Sequence, residues 1–252
     1  MTERTKPFVL LTNDDGFAAP GIQKLMDMLS EKVNLLVVAP KKQKSGAGHS
    51  ITLGADMQLE QMEDFAFTLD GTPVDCAFFA FRKLIKEKPD LVISGINRGA
   101  NLGSDTLYSG TVGAALYAAK QNVPALAVSL VSHEDDGAHY DSAVSIVEKV
   151  LDKGHWKEFS GRVININVPN LPQNEIQGMK TASLADMIYT EGFEQGGCDK
   201  SWRYVKETPV SFSSGESDSS LIKRGFASVS ILKPDLFCLD SNERLKSFIT
   251  DI

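Results

Sequence analysis

Cysteine is scarce in this chain, with three in 252 residues: Cys76, Cys198 and Cys238. They are odd in number, widely separated and form no Cys-x-x-Cys pair. That argues against both a zinc site and a disulfide framework. The expectation is a reducing, cytoplasmic setting with all three as buried thiols. Long apolar runs are missing as well. None approaches the ~20 residues that cross a bilayer, and residues 1–7 lack the apolar stretch of a signal peptide, so no membrane association is expected. A basic excess is also absent. Lys and Arg number 26 against 33 Asp and Glu, a formal charge of −7, which argues against stable coating of nucleic acid. It leaves room for one small anion held locally. Histidines are few, and His133, His139 and His155 show no ligand spacing.

What the chain does have is an alternation of two patterns. Continuous apolar runs lie at 8–12 (FVLLT), 34–39 (NLLVVA), 91–94 (LVIS), 125–130 and 163–168 (VININV), as in strands buried on both faces. Between them fall helical periodicities. Pro20 precedes Ile22, Leu25, Met26 and Leu29 at i, i+3, i+4, i+7. Thr72 and Pro73 make an N-cap and first position for a helix placing Ala77, Phe78, Phe81, Leu84 and Ile85 on one face, ended by Pro89. Residues 114–121 and the set Ala143, Val144, Val147, Val150 and Leu151 predict two more helices. Shorter strands are expected at 51–53, 57–59 and 65–69. The alternation over about 8–168 predicts an α/β fold with a doubly wound, mostly parallel sheet. Beyond Pro169 the sequence turns glycine- and serine-rich at 192–197 and 211–220, with a late strand expected at 229–232.

The polar residues converge on one predicted edge. In such a sheet, the loops at the C-terminal ends of the strands share a crevice where ligands bind. Asp14 and Asp15 follow the first strand, Ser45 the second, and Asn97 and Asn101 the strand ending at Ser94. Adjacent carboxylates repel, so they call for a cation or a base unless they merely decorate a polar turn. Two carboxylates, a hydroxyl and an amide oxygen form a partial all-oxygen shell suited to Mg²⁺ or Mn²⁺. Ser109, Gly110 and Thr111 precede the alanine-rich helix, where free N–H groups and hydroxyls either cap the helix or bind an anion. A metal shell and an anion site in one crevice imply phosphoryl chemistry.

The ordered segments TNDDGFAAPGI, VVAP…SGAGHSIT, GTPVDCA, PDLVISGINRGANLGSDTLYSGTVGAA and NINVP resemble the SurE (survival protein E) family of metal-dependent nucleotidases. The resemblance runs from residue 9 to about 169, with weaker echoes to Leu236. It implies a single domain with a Rossmann-like core of about 8–182 and a C-terminal arm of about 183–252, through which a homo-oligomer, dimer or tetramer, would form. It implies hydrolysis of nucleoside 5′- and 3′-monophosphates with one divalent ion per subunit, Mn²⁺ or Mg²⁺, and side activity on short polyphosphate. Carried over by position, Asp14, Asp15, Ser45 and Asn97 are the metal ligands. Asp14 and Asp15 also serve the chemistry, one of them taking a proton from the attacking water. Asn101, Ser109, Gly110 and Thr111 are phosphate contacts. Departures from the family pattern are Tyr117, where glutamate is common, Ile231 in place of a proline, and the missing aromatic neighbour of Asp218. They bear on the arm and on substrate access more than on the chemistry.

Other features read more plainly. Asp135-Asp136-Gly137 repeats the adjacent acids but sits within a polar loop, and Lys41, Lys42 and Lys44 suit a solvated loop. His49 is a loop histidine that could protonate a leaving alkoxide. Trp156 and Trp202 are expected to pack, and Arg98 points either to phosphate or outward. A phosphorylated receiver would need an acid where Ser94-Gly95-Ile96-Asn97 stands, and a haloacid-type phosphatase would need Asp-x-Asp. NDDGFAAPG also lacks the dinucleotide fingerprint G-x-G-x-x-G. A non-catalytic nucleotide-sensing module is the alternative that the residues leave open.

Overall fold

The computed structural model describes residues 5–132, 137–188, 192–198, 200–204, 210–211 and 215–236. His133, Asp135, Asp136 and Cys238, named above, lie outside that set. The alternating part of the chain comprises β1 (Phe8–Thr12), α1 (Pro20–Ser30), β2 (Asn34–Pro40), β3 (Leu59–Glu63), β4 (Ala66–Leu69), α2 (Pro73–Phe79), β5 (Leu91–Arg98), α3 (Gly110–Lys120), β6 (Ala125–Val131), α4 (Tyr140–Lys153) and β7 (Val163–Pro169). After it come β8 (Met179–Thr181), β9 (Met187–Ile188), β10 (Phe193–Gln195), β11 (Trp202–Tyr204), β12 (Val210–Ser211), α5 (Asp218–Lys223) and β13 (Ala227–Leu232).

Nine strands form the main sheet in the order β3-β4-β2-β1-β5-β6-β7-β13-β8. The run from β4 to β7 is parallel throughout. β3 joins antiparallel to β4 at one edge, and β13 antiparallel to β7 at the other. The α/β, doubly wound, mostly parallel architecture expected from the alternation is therefore what the chain adopts. The strand order reverses at β1: β2 and β4 lie on one side and β5 to β7 on the other. The crevice therefore opens beyond the C-terminal ends of β1 and β5.

Strand alternation explains the layers. Val9 and Leu11 of β1 join a cluster with Ile22 and Leu25 of α1 and Ala143, Ile146 and Val147 of α4. Leu10 faces the opposite side, with Cys76 of α2 and Val112, Ala115 and Ala118 of α3. Each fully buried Leu or Ile in these layers contributes about 1.5–3 kcal/mol by leaving water. The small residues of α3 bring its axis close to the sheet, which matters for the site below.

Several expectations need correcting. Residues 51–58 form no strand, because the Asp75 carboxylate takes the Thr52 backbone N–H (2.9 Å) and hydroxyl (2.6 Å). The same carboxylate closes a capping box on Thr72. The helix beginning at Pro73 is α-helical only to Phe79 and widens to a π turn over Ala80–Leu84. Phe78, within the α-helical part, is exposed instead of on the buried face. Cys198 is exposed, unlike the buried Cys76, because it lies beyond the sheet near the β10–β11 hairpin. Residues 227–232 return to the main sheet beside β7, so the excursion after residue 182 contains the two small antiparallel ladders β9/β12 and β10/β11 and then folds back. Among the described residues, no helix is long and apolar enough to cross a membrane.

Candidate active site

β1 ends where its apolar run meets Asn13, Asp14 and Asp15, and the two acids are held from different layers. Asp14 is buried at 3% exposure. Its Oδ1 accepts the Thr111 hydroxyl at 2.5 Å. The first residue of α3, Gly110, lies so near that a Cβ there would stand 3.0 Å from Asp14 Cβ and 3.2 Å from its Oδ2. Burial pushes the Asp14 carboxyl up from 3.8 to about 6; the Thr111 hydroxyl and backbone N–H lower it, and the neighbouring Asp15 charge raises it. Asp15 accepts the Arg98 backbone N–H at 2.7 Å through Oδ2. Burial raises its pKa too, against lowering by Arg98 and Gln43.

Asn97 and Arg98 reach this position because β5 does not stop at Ser94. A bulge between Ser94 and Asn97 restores pairing with β6, Asn97 opposite Ser129 and Arg98 opposite Leu130. Asn97 is thus a buried strand residue rather than a loop residue. Its Nδ2 donates to the Gly99 carbonyl at 2.9 Å, which leaves Oδ1 as its acceptor end. The loop carrying Ser45 is tied in by Lys44 N–H donating to the Asp14 carbonyl at 2.7 Å. Ser45 is exposed, and its Oγ accepts from Gln43 Nε2 at 3.0 Å.

Ser109 caps α3, its hydroxyl oxygen accepting the Val112 N–H at 3.1 Å. An accepting hydroxyl keeps its proton to give, so capping and anion binding are compatible there. Thr111 is different. Its single hydroxyl proton goes to Asp14, so this side chain orients the carboxylate and is not free to meet a phosphate. Asn101 is buried in an amide network. Its Nδ2 donates to Ser129 Oγ at 2.8 Å, its N–H to Asn167 Oδ1 at 2.8 Å, and its carbonyl accepts from Asn165 and Asn167 at 3.0 Å each.

Sequence reasoning did not assign Asn165, Asn167, Ser129, Asn13 or Tyr140. The signal for the first two was present: asparagines two apart in an apolar strand share one face, and buried amides need partners. Thr12 Oγ1, Asn13 Oδ1 and Ser94 Oγ are buried without a hydrogen-bond partner among the described residues. Thr12 and Asn13 lie at the end of β1, and Ser94 at the bulge within β5. On the α1 and α4 side, a cleft of about 200 Å³ is lined by Asp15, Ala19, Pro20, Gln43, Arg98 and Tyr140. Arg98 therefore lines the cleft rather than pointing to bulk solvent.

The donor set suits a hard cation. Two desolvated carboxylates with raised pKa, a hydroxyl and amide oxygens are what Mg²⁺ or Mn²⁺ takes, and a bound cation would reverse the cost of keeping both acids charged. Among the described residues no group of three or more His, Cys, Asp and Glu is placed to hold a metal ion; Asp14 and Asp15 are the two acids of the donor set. His49 lies against the first turn of α3, its ring 2.8 Å from where a Gly113 Cβ would be, and burial lowers its pKa. Lys41 and Lys44 are paired with Glu60 and Asp70. Trp156 is buried and Trp202 is 65% exposed.

The family model described as Survival protein SurE matches residues 9–191. The chain belongs to the SurE family. The 5′/3′-nucleotidase SurE of Yersinia pseudotuberculosis is 34% identical over 251 residues, covering 96% of each chain. The 5′-nucleotidase SurE of Actinobacillus succinogenes is 36% identical over 248 residues, covering 96% of this chain and 98% of that one. The crystal structure of the SurE protein from Aquifex aeolicus superposes with a TM-score of 0.80 at 32% identity, covering 96% of this chain and 99% of that one. The SurE match begins at Val9 in β1 and includes every residue of the crevice.

Proposed function

We propose that this chain is a 5′-nucleotidase that hydrolyses nucleoside 5′- and 3′-monophosphates with a divalent cation. The observation that carries the reading is the meeting of Asp14 with the start of α3. The buried Asp14 touches the helix start through Thr111 and Gly110, and the half-buried Asp15 follows it in the chain, so the acids proposed for a cation lie beside the N–H and hydroxyl groups proposed for a phosphate. The names of the relatives support the substrate class.

Asp14, Asp15, Ser45 and Asn97 would hold Mg²⁺ or Mn²⁺, which when bound supplies charge neutralisation at phosphate oxygens and acidifies water. The chain's own groups do the rest. Ser109 hydroxyl, the Gly110 N–H and Asn101 hold the phosphate and meet charge on its equatorial oxygens. Thr111 keeps the Asp14 carboxylate aimed. The free oxygen of Asp14 or Asp15 takes the proton of the attacking water. Arg98 adds positive charge at the cleft, where the nucleoside portion has room. We also propose the division into a core and a C-terminal arm, with the arm as the contact between copies. Phe193 and Trp202, both exposed on the β10–β11 hairpin, support it.

Phosphate release from nucleoside monophosphates, short polyphosphate and phenyl phosphate, each with Mg²⁺, Mn²⁺ or EDTA, tests the proposal. Nucleotide turnover that needs the cation is expected. Turnover surviving EDTA would sink the metal role, and tight nucleotide binding without turnover would favour a sensing module.

A further inference from the structure

Asp218 is a fully buried carboxylate, and its side-chain hydrogen bonds go to backbone N–H groups in three different segments. Its Oδ2 accepts from Gly103 at 2.8 Å. Its Oδ1 accepts from Ala185 at 3.0 Å and from Ser219 at 2.7 Å. Burying a carboxylate is costly unless it is well bonded, and here one charge is used to join three pieces of chain. Gly103 opens the turn Gly103–Leu107. Ala185 belongs to the root of the arm before β9. Ser219 lies in the first turn of α5. The joint is reinforced from the other side, where the Asp218 N–H donates to the Ser183 carbonyl at 2.9 Å. Gly103, at φ +50°, is pressed so closely to the arm root that a Cβ would sit 2.2 Å from the Ala185 carbonyl oxygen.

The pinned turn lies between Asn101 and Ser109. We infer that Asp218 is a positioning residue that fixes the phosphate-holding turn to the root of the arm, so that the arm's placement and the affinity for the substrate phosphate are linked. This rests on the reading of Asn101 and Ser109 as phosphate contacts.

The two carboxylate oxygens divide the joint in a way that a substitution can separate. In D218N the amide oxygen can keep the Ala185 and Ser219 bonds, while its NH₂ then faces the Gly103 N–H, donor against donor. The turn is released and the arm root stays held. S217A is the control. It removes the α5 cap, whose Oγ accepts from Ser220 at 3.3 Å, and leaves the Gly103 contact in place. For D218N we expect KM for a nucleoside monophosphate, and the inhibition constant of inorganic phosphate, to rise roughly tenfold, as for loss of one charge-assisted hydrogen bond. The kcat should stay within a few-fold of wild type. Hydrogen exchange over residues 103–107 should quicken in D218N and stay at the wild-type rate in S217A. Unchanged exchange or KM in D218N, the same rise in S217A, or a fall in kcat alone would overturn the inference. If the wild-type protein releases no phosphate, the nucleotidase proposal fails and the exchange comparison still decides this one. If D218N does not fold, wild-type exchange decides it: the Gly103 amide should exchange more slowly than that of Asp105, which bonds to Leu102 at 3.0 Å, and equal rates would refute the pin.

Discussion

Replacing Asp14 with asparagine isolates what the buried carboxylate costs the fold and what a cation returns. The amide keeps the volume of the acid, and its oxygen can still accept the Thr111 hydroxyl that now reaches Asp14 at 2.5 Å. The charge is removed, and the other acceptor oxygen becomes an NH₂ donor. In the folded chain the Asp14 pKa stands at about 6 against an ordinary 3.8, chiefly through burial. The folded state therefore binds this proton more tightly than the unfolded state does. Stability from the group is fully present below about 3.8 and is lost as pH rises through about 6. The gap corresponds to about 3 kcal/mol. In EDTA at pH 7.5, D14N should be more stable than wild type by up to that amount. At roughly 2–4 °C per kcal/mol for a chain of this size, Tm would rise by about 6–12 °C, and the difference should close below about pH 4. Saturating Mn²⁺ should close most of that gap by stabilising the wild type alone. A ligand at a hundredfold excess over Kd adds about 2.7 kcal/mol to the state that binds it, and D14N has lost the binding carboxylate. Thermal melts of both proteins across pH, with and without Mn²⁺, make the comparison, with phosphate release from D14N expected to be nearly abolished. A destabilised D14N in EDTA at pH 7.5, or equal Mn²⁺ stabilisation of both proteins, would refute the assignment of Asp14 as a desolvated metal-holding acid.

Thr111→Val should raise the Asp14 pKa further, because the lost hydroxyl bond lowers it, and the acid limb of kcat/KM should move to higher pH; superimposable pH profiles would contradict the orienting role. Gly110→Ala places a methyl 3.0 Å from both Asp14 Cβ and Pro73 Cγ, so one of them must move. A stability loss of about 1–3 kcal/mol is expected for such overpacking, with at least a tenfold fall in turnover, and wild-type kinetics would show that Asp14 tolerates displacement. Trp202→Ala, on the exposed face of the arm hairpin, should lower the oligomeric state seen by light scattering, and an unchanged mass would remove the arm from the interface.

The parts of the site that the sequence disclosed are those set by local pattern. An apolar run ending in two acids, and a small-residue helix opening with Ser-Gly-Thr, are each readable alone, and the strand reversal at β1 brings them together. Asn97 was assigned correctly to the same edge but to the wrong kind of element. Gly-Ile-Asn-Arg reads as loop, and only the bulge that restores pairing with β6 makes it strand. The destination of the Thr111 hydroxyl was not legible, since capping, phosphate binding and orienting a carboxylate all use a hydroxyl at a helix start. What selects among them is the distance between two layers, and no local pattern encodes that distance. The return of residues 227–232 to the sheet was legible as a strand. Its antiparallel place beside β7 was not, because one strand's pattern does not name its neighbour.

The adjacency of Asp14 and Asp15 follows from the layers themselves. Successive side chains at the end of a strand diverge to opposite faces. Asp14 goes to the α3 side, where Thr111 and Gly110 close on it. Asp15 goes to the β5 bulge and the cleft of Arg98 and Tyr140 between α1 and α4. Two acids separated by one residue would share a face and leave the other layer without a carboxylate. Two adjacent acids put one carboxylate under each layer while both remain at the sheet edge. If the pair shares the proposed cation, it would be held from both sides of the sheet, and the two acids would separate by role. Substitutions at Asp14 should act through the phosphate side. Those at Asp15 should act through the cleft that has room for the rest of the substrate, so that D15N discriminates among nucleosides and D14N does not.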